Sequence, residues 1–127
     1  MIVLDASVLI AYLDDTDEHH ERAVDLLARE IDQDLGVSTL TLGEVLVGPA
    51  RTGRLAPVVA AVKGLAMREI PLQAGSSARL ARLRVETRLT MPDCCVLLAA
   101  ESFGAGVASF DERLAAAAST QGLTVVT

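Results

Sequence analysis

Four acidic residues stand where burying a carboxylate is costly without compensation. Asp5 interrupts the apolar run of MIVLDASVLI, Glu44 follows STLTL, Asp93 sits directly behind Pro92 in MPDCCVLLAA, and Asp111 closes ASFD. Brought together, such groups repel one another, and some of their pKa values rise unless a cation offsets the charge. A hard divalent ion such as Mg²⁺ or Mn²⁺ is the natural counterion. It takes oxygen ligands, keeps several waters, and is typically held by a few carboxylates together with substrate phosphate. The chemistry within reach is phosphodiester hydrolysis, with the ion activating the attacking water.

The elements that would position these acids follow from periodicity. IVLDA reads as a buried strand and Ser7 to Leu13 as a short helix. Asp17 can cap a second helix reaching about Ile31, with Ala23, Leu27 and Ile31 stacked at i, i+4. GVSTL is a second strand, followed by a helix from about Thr41 to Val47 that Gly48 and Pro49 should stop. Leu55, Val58, Val59 and Val62 mark another helix ended by Gly64, and MREIPL is a third strand. A helix then runs through Leu80, Leu83 and Thr87. Pro92 opens one that is apolar nearly all round and should be central, GVASF is strand-like, Asp111 to about Thr120 is helical, and LTVV is a last strand. Apolar strands alternating with helices predict an α/β fold: three layers, α/β/α, on a short parallel sheet, as a single domain over residues 1–127. In such a sheet each strand that leads into a helix delivers its end to the same edge, where ligands bind. The four acids fall at or just beyond such junctions and should converge on one cleft.

A second reading places them identically. Asp is a preferred N-cap, Thr41 with Glu44 fits a capping box, Asp93 suits the positive end of its helix, and Asp111 can cap the next. Position alone leaves open a non-catalytic interaction or signalling domain whose acids only cap helices.

Composition narrows the class. Of 127 residues, 51% are apolar, enough for a globular core. The longest apolar runs fall far short of the ~20 residues a bilayer requires, and no basic segment marks a signal peptide. The expectation is a soluble, cytoplasmic protein without a membrane partner. Cys94 and Cys95 are adjacent, lack metal-site spacing, and read as small buried hydrophobes. The only histidines, His19 and His20, lie in an acidic stretch. The net charge of -6 is unevenly spread: residues 1–50 hold 11 acids against 2 bases, and residues 51–92 hold 8 bases against 2 acids. Setting the four junction acids aside from the 17 leaves 13 against 11 bases, so repulsion of a polyanion would be local. Arg79, Arg82, Arg84 and Arg88 share one helix leading to Asp93 and could contact the phosphates of a polyanion, or form a solvated face with ion pairs. The three aromatic residues, Tyr12, Phe103 and Phe110, promise no base-stacking platform.

In their order and over the whole chain, IVLDASVLIAYL, STLTLGEVL, MPDCCVLLAA and ASFDERL resemble the PIN domain, and specifically its small stand-alone VapC-type toxins. The resemblance implies a Mg²⁺- or Mn²⁺-dependent endoribonuclease acting on RNA, silenced by a VapB-type antitoxin and usually a homodimer. It assigns Asp5, Glu44, Asp93 and Asp111 to the metal-binding catalytic quartet, and Ser7 and Ser109 to the hydroxyls that position it. Two departures are the Cys94–Cys95 pair, where a small aliphatic residue is common, and Ser109 in place of the more frequent Thr; neither changes the expected chemistry. Rival classes lack a needed residue. A response-regulator receiver wants a Lys after its last strand, and the sole Lys is Lys63; a haloacid-dehalogenase-like phosphatase wants a second Asp at position 7, which is Ser7.

Overall fold

A computed structural model describes residues 1–127. Five strands form one sheet in the order β3-β2-β1-β4-β5, every pair parallel: β1 (Ile2–Leu4), β2 (Leu35–Ser38), β3 (Arg68–Ile70), β4 (Gly106–Ala108) and β5 (Val125–Val126). Seven helices connect them: α1 (Ala6–Leu13), α2 (His20–Arg29), α3 (Thr39–Arg51), α4 (Leu55–Gly64), α5 (Ser77–Thr87), α6 (Met91–Phe103) and α7 (Glu112–Thr120).

The apolar strands are explained by two cores, one on each face. Alternate residues of β1 divide between them: Ile2 and Leu4 join Val8, Leu9, Leu26 and Val45 on one side, while Val3 joins Leu83, Val96, Leu97 and Leu114 on the other. Helix α6 is the centre of the second core, with Cys94 through Ala100 all buried, which accounts for its lack of a polar face. The α/β/α arrangement expected from periodicity is the observed one. No helix is long and apolar enough to cross a membrane.

Local boundaries differ where local signals compete. Helix α3 begins at Thr39, inside the expected second strand, and continues through Gly48 and Pro49. A proline removes only one N–H from the ladder, and its φ suits a helix, so near a C-terminal end it can be carried. The chain turns at Gly53, whose φ of 70° is left-handed, after Thr52 N–H has bonded back to Gly48 and Pro49. The same early start overturns the Thr41–Glu44 capping box: Thr41 lies inside the helix, buried, and the N-cap is Ser38. Helix α2 starts at His20, because the Asp17 carboxylate closes a turn on His19 N–H (2.8 Å) rather than the helix itself. Its buried positions are Ala23 and Leu26; Ile31 falls beyond the helix and is 79% exposed.

Candidate active site

The carboxyl ends of β1 and β4 are adjacent, and there the structure builds a closed polar network. Asp5 N–H bonds the Ala108 carbonyl (2.9 Å), continuing the sheet one residue past β1. Its side chain is buried, and Oδ2 accepts from the Ser7 hydroxyl (2.8 Å) and the Ser109 hydroxyl (2.9 Å). Each serine oxygen accepts in turn from backbone: Ser7 Oγ from Phe110 N–H (2.9 Å), Ser109 Oγ from Asp111 N–H (3.0 Å). Four groups, two hydroxyls and two backbone N–H, thereby hold one carboxylate oxygen in place. Oδ1 receives no protein hydrogen bond, and because no fully buried side-chain oxygen lacks a partner, it keeps access to solvent.

Asp5 occupies the N-cap position of α1 but makes no side-chain capping bond. Asp93 lies two residues into α6, where Thr90 is the capping residue and accepts from Asp93 N–H (3.4 Å). Glu44, in the second turn of α3, caps nothing. Asp111 does cap: its Oδ1 accepts from Arg113 N–H (2.9 Å) and Leu114 N–H (3.2 Å) at the start of α7.

The acids feel one another. Loss of water around the carboxyl raises the Asp93 pKa, and the charges of Asp5 and then Asp111 raise it further, against the opposing pull of Thr90 and Arg113. Glu44, exposed as a residue, is raised first by partial desolvation of its carboxyl and then by the charges of Asp93 and Asp5. No three of these side chains, however, close into a ready-made cage for an ion. The donor set is carboxylate oxygen only: Cys94 and Cys95 are buried, and burial pushes both thiols up, away from the thiolate a soft metal would need. These donors fit a hard, water-rich cation such as Mg²⁺ or Mn²⁺, which needs few protein ligands. Beside Glu44 opens a groove of about 600 Å³, walled by Ile10, Leu13, Val45 and Val58 and edged by Asp14 and Arg54.

The basic helix divides in two. Arg79 is held by Glu101 at 2.7 and 3.0 Å and by Gln121 at 3.3 Å, a pairing across 22 residues that the sequence could not display. Arg82, Arg84 and Arg88 are exposed and pair with no carboxylate. The cation whose charge reaches Asp93 is instead Arg113, which reading the sequence missed. Its signal was the spacing in DER: capping by Asp111 fixes the backbone of the residue two positions on.

A parallel three-layer fold carrying acids at the carboxyl edge of its sheet defines the class of protein. The PIN domain matches residues 2–119, and the chain belongs to that family. Its fold is similar to VapC20 of Mycobacterium tuberculosis, described as a Sarcin-Ricin loop cleaving toxin: 21% identity over 92% of this chain and 95% of that one, TM-score 0.75. It is also similar to a FitAB structure bound to a DNA fragment, with 23% identity over 98% and 93%, TM-score 0.77. A third relative in fold is VapBC2 of Rickettsia felis bound to a promoter DNA fragment, with 14% identity over 98% and 97%, TM-score 0.70. No curated protein matches the chain.

Proposed function

We propose that the chain is a divalent-metal-dependent endoribonuclease toxin of the VapC type, kept silent by a cognate VapB-type antitoxin and working as a homodimer in the cytoplasm. The observation that carries this reading is the Asp5 carboxylate, buried and immobilised through Oδ2 while Oδ1 stays free, with Asp93 and Glu44 close enough to feel its charge. A bound Mg²⁺ or Mn²⁺ would neutralise the phosphodiester and activate water. Asp5, Asp93 and Glu44 would hold it, with Asp111 bordering the site while its Oδ1 caps α7. Ser7 and Ser109 fix the orientation of Asp5, a role that outer-sphere partners commonly fill. The charge of Arg113, on α7, reaches Asp93 and can offset charge on the substrate phosphate.

Two features support the RNA and antitoxin parts. The M. tuberculosis relative is described as a Sarcin-Ricin loop cleaving toxin, and a structure from Klebsiella pneumoniae that is similar in fold is described as a toxin-antitoxin complex. The groove beside Glu44 combines the apolar side chains of Ile10, Leu13, Val45 and Val58 with the carboxylates of Asp14, Asp15 and Glu44, which suits an amphipathic antitoxin segment that presents a basic side chain to the acids.

The test is cleavage of labelled total RNA with Mg²⁺, Mn²⁺ or EDTA, beside Asp93→Asn. Wild type should cleave only with metal. Because Thr90, not Asp93, caps α6, the variant should stay folded, melting slightly above wild type without metal, yet lose more than about 100-fold in activity, beyond the usual loss of an outer-sphere partner. Comparable activity in both proteins would remove Asp93 from the site.

A further inference from the structure

Only two bases occur among the first 50 residues, Arg22 and Arg29, and the structure uses them differently. Arg29 is tied to the Thr127 carbonyl (2.9 Å) and lies by Glu30 (3.8 Å). Arg22 has Glu18 and Asp25 at i-4 and i+3, the positions from which a helix normally supplies a partner. It pairs with neither, and none of its N–H groups is bonded within the protein. Its guanidinium instead lies over the Phe110 ring, 4.3 Å from the centroid, and the His19 ring flanks the same phenyl at 5.6 Å, tilted by 51°.

The place of this stack gives it meaning. Phe110 stands between Ser109 and Asp111, and its N–H bonds the Ser7 hydroxyl that holds Asp5. Three planar groups from positions 19, 22 and 110 therefore assemble at the rim of the carboxylate site, although the sequence alone promised no stacking platform. A guanidinium resting on an aromatic face is oriented without spending its donors, which remain available to an anion.

We propose that Arg22, carried on Phe110 and flanked by His19, forms a subsite for single-stranded RNA beside the acidic centre. Arg22 binds a phosphate next to the one cleaved, and the rings supply a face for an unpaired base. The inference rests on the ribonuclease reading and extends it to substrate positioning. It also answers how an acidic surface holds a polyanion: besides Arg113 on α7, a free fork of donors is supplied from the acidic half itself.

The test measures binding of a short, labelled single-stranded RNA in Mg²⁺ by anisotropy across a salt series, with Asp93→Asn as the parent to suppress cleavage. Adding Arg22→Gln should weaken binding about 10-fold at low salt and lower the slope of log K against log salt by about 0.7, the release of one phosphate counterion from a single strand. Arg22→Lys should restore the slope but only part of the affinity. Phe110→Leu should weaken binding several-fold with the slope kept, since it removes stacking and not charge. A ring that served only to pin α2 would lower Tm in these variants and leave the salt slope alone, and an unchanged slope in Arg22→Gln would overturn the subsite. A parent that binds no RNA would overturn the ribonuclease reading with it, so the two failures are distinct.

Discussion

The ends of β1 and β4 look alike in sequence and behave differently in space. Each strand delivers an Asp to the N-cap of the following helix, Asp5 before α1 and Asp111 before α7. Asp111 is exposed and spends Oδ1 on Arg113 and Leu114 N–H, as an N-cap does. Asp5 is buried and makes no capping bond; its oxygen goes to Ser7 and to Ser109, 104 residues away. The contrast shows that capping and site-building are alternative uses of one position. What selects between them is whether the neighbouring strand end offers better donors than the helix's own backbone.

Substitutions can sharpen that contrast. The largest effect is expected at Asp5. Asp5→Asn should abolish metal-dependent cleavage, with more than about 100-fold loss, and Ser109→Ala should cost about 10–100-fold in metal affinity by freeing the carboxylate. Calorimetric titration with Mn²⁺ checks both, and undiminished affinity in Ser109→Ala would make the hydroxyl merely structural. An intermediate effect belongs to Asp111. Asp111→Ala should lose about 1 kcal/mol through the cap, roughly 4 °C in Tm, and Asp111→Asn should restore most of it. If Asp5→Ala and Asp5→Asn differed in the same way, the distinction between the two junctions would collapse.

The smallest effect is one of pH, on the metal-free protein. Asp93 and Glu44 are raised above their ordinary values of 3.8 and 4.5, so the folded state holds these protons more tightly than the unfolded chain does. Their stabilising contribution is therefore present below the unfolded pKa and lost as pH rises through the raised folded value. Asp93→Asn removes one of the repelling charges, so at neutral pH the metal-free variant should melt slightly above wild type. The gap should close on acidification below about 3.8, and Mg²⁺ should reverse it at neutral pH by binding wild type more tightly. A variant that melts at or below wild type at neutral pH would show that the Asp93 charge is not opposed there.

Much of this architecture was legible because it is written locally. A run such as IVL or GVA is apolar on both faces of the strand, and MPDCCVLLAA can only be a buried helix, so the parallel sheet and its covering layers follow from period and composition. The positions of the four acids follow too, since each lies within a few residues of a strand or helix start. Misplaced boundaries arose where a breaker was read as absolute: Pro49 is carried inside α3, and Thr41 with Glu44 imitates a capping box one turn too late.

By itself the sequence determined the order of strands and helices, and with it the places of Asp5 and Asp111 at strand-to-helix junctions and of Glu44 and Asp93 early in α3 and α6. Only the tertiary structure decided what each does there. That Ser7 and Ser109 share one oxygen of Asp5, that the charge of Arg113 reaches Asp93 while Glu101 holds Arg79, and that Arg22 lies on Phe110 all depend on β1 pairing with β4 and on helices packing beside them. Secondary structure obeys interactions within a few residues, and short patterns therefore encode it. A side chain's hydrogen-bond partner is chosen among everything folding brings within about 3 Å, and no local pattern encodes that list.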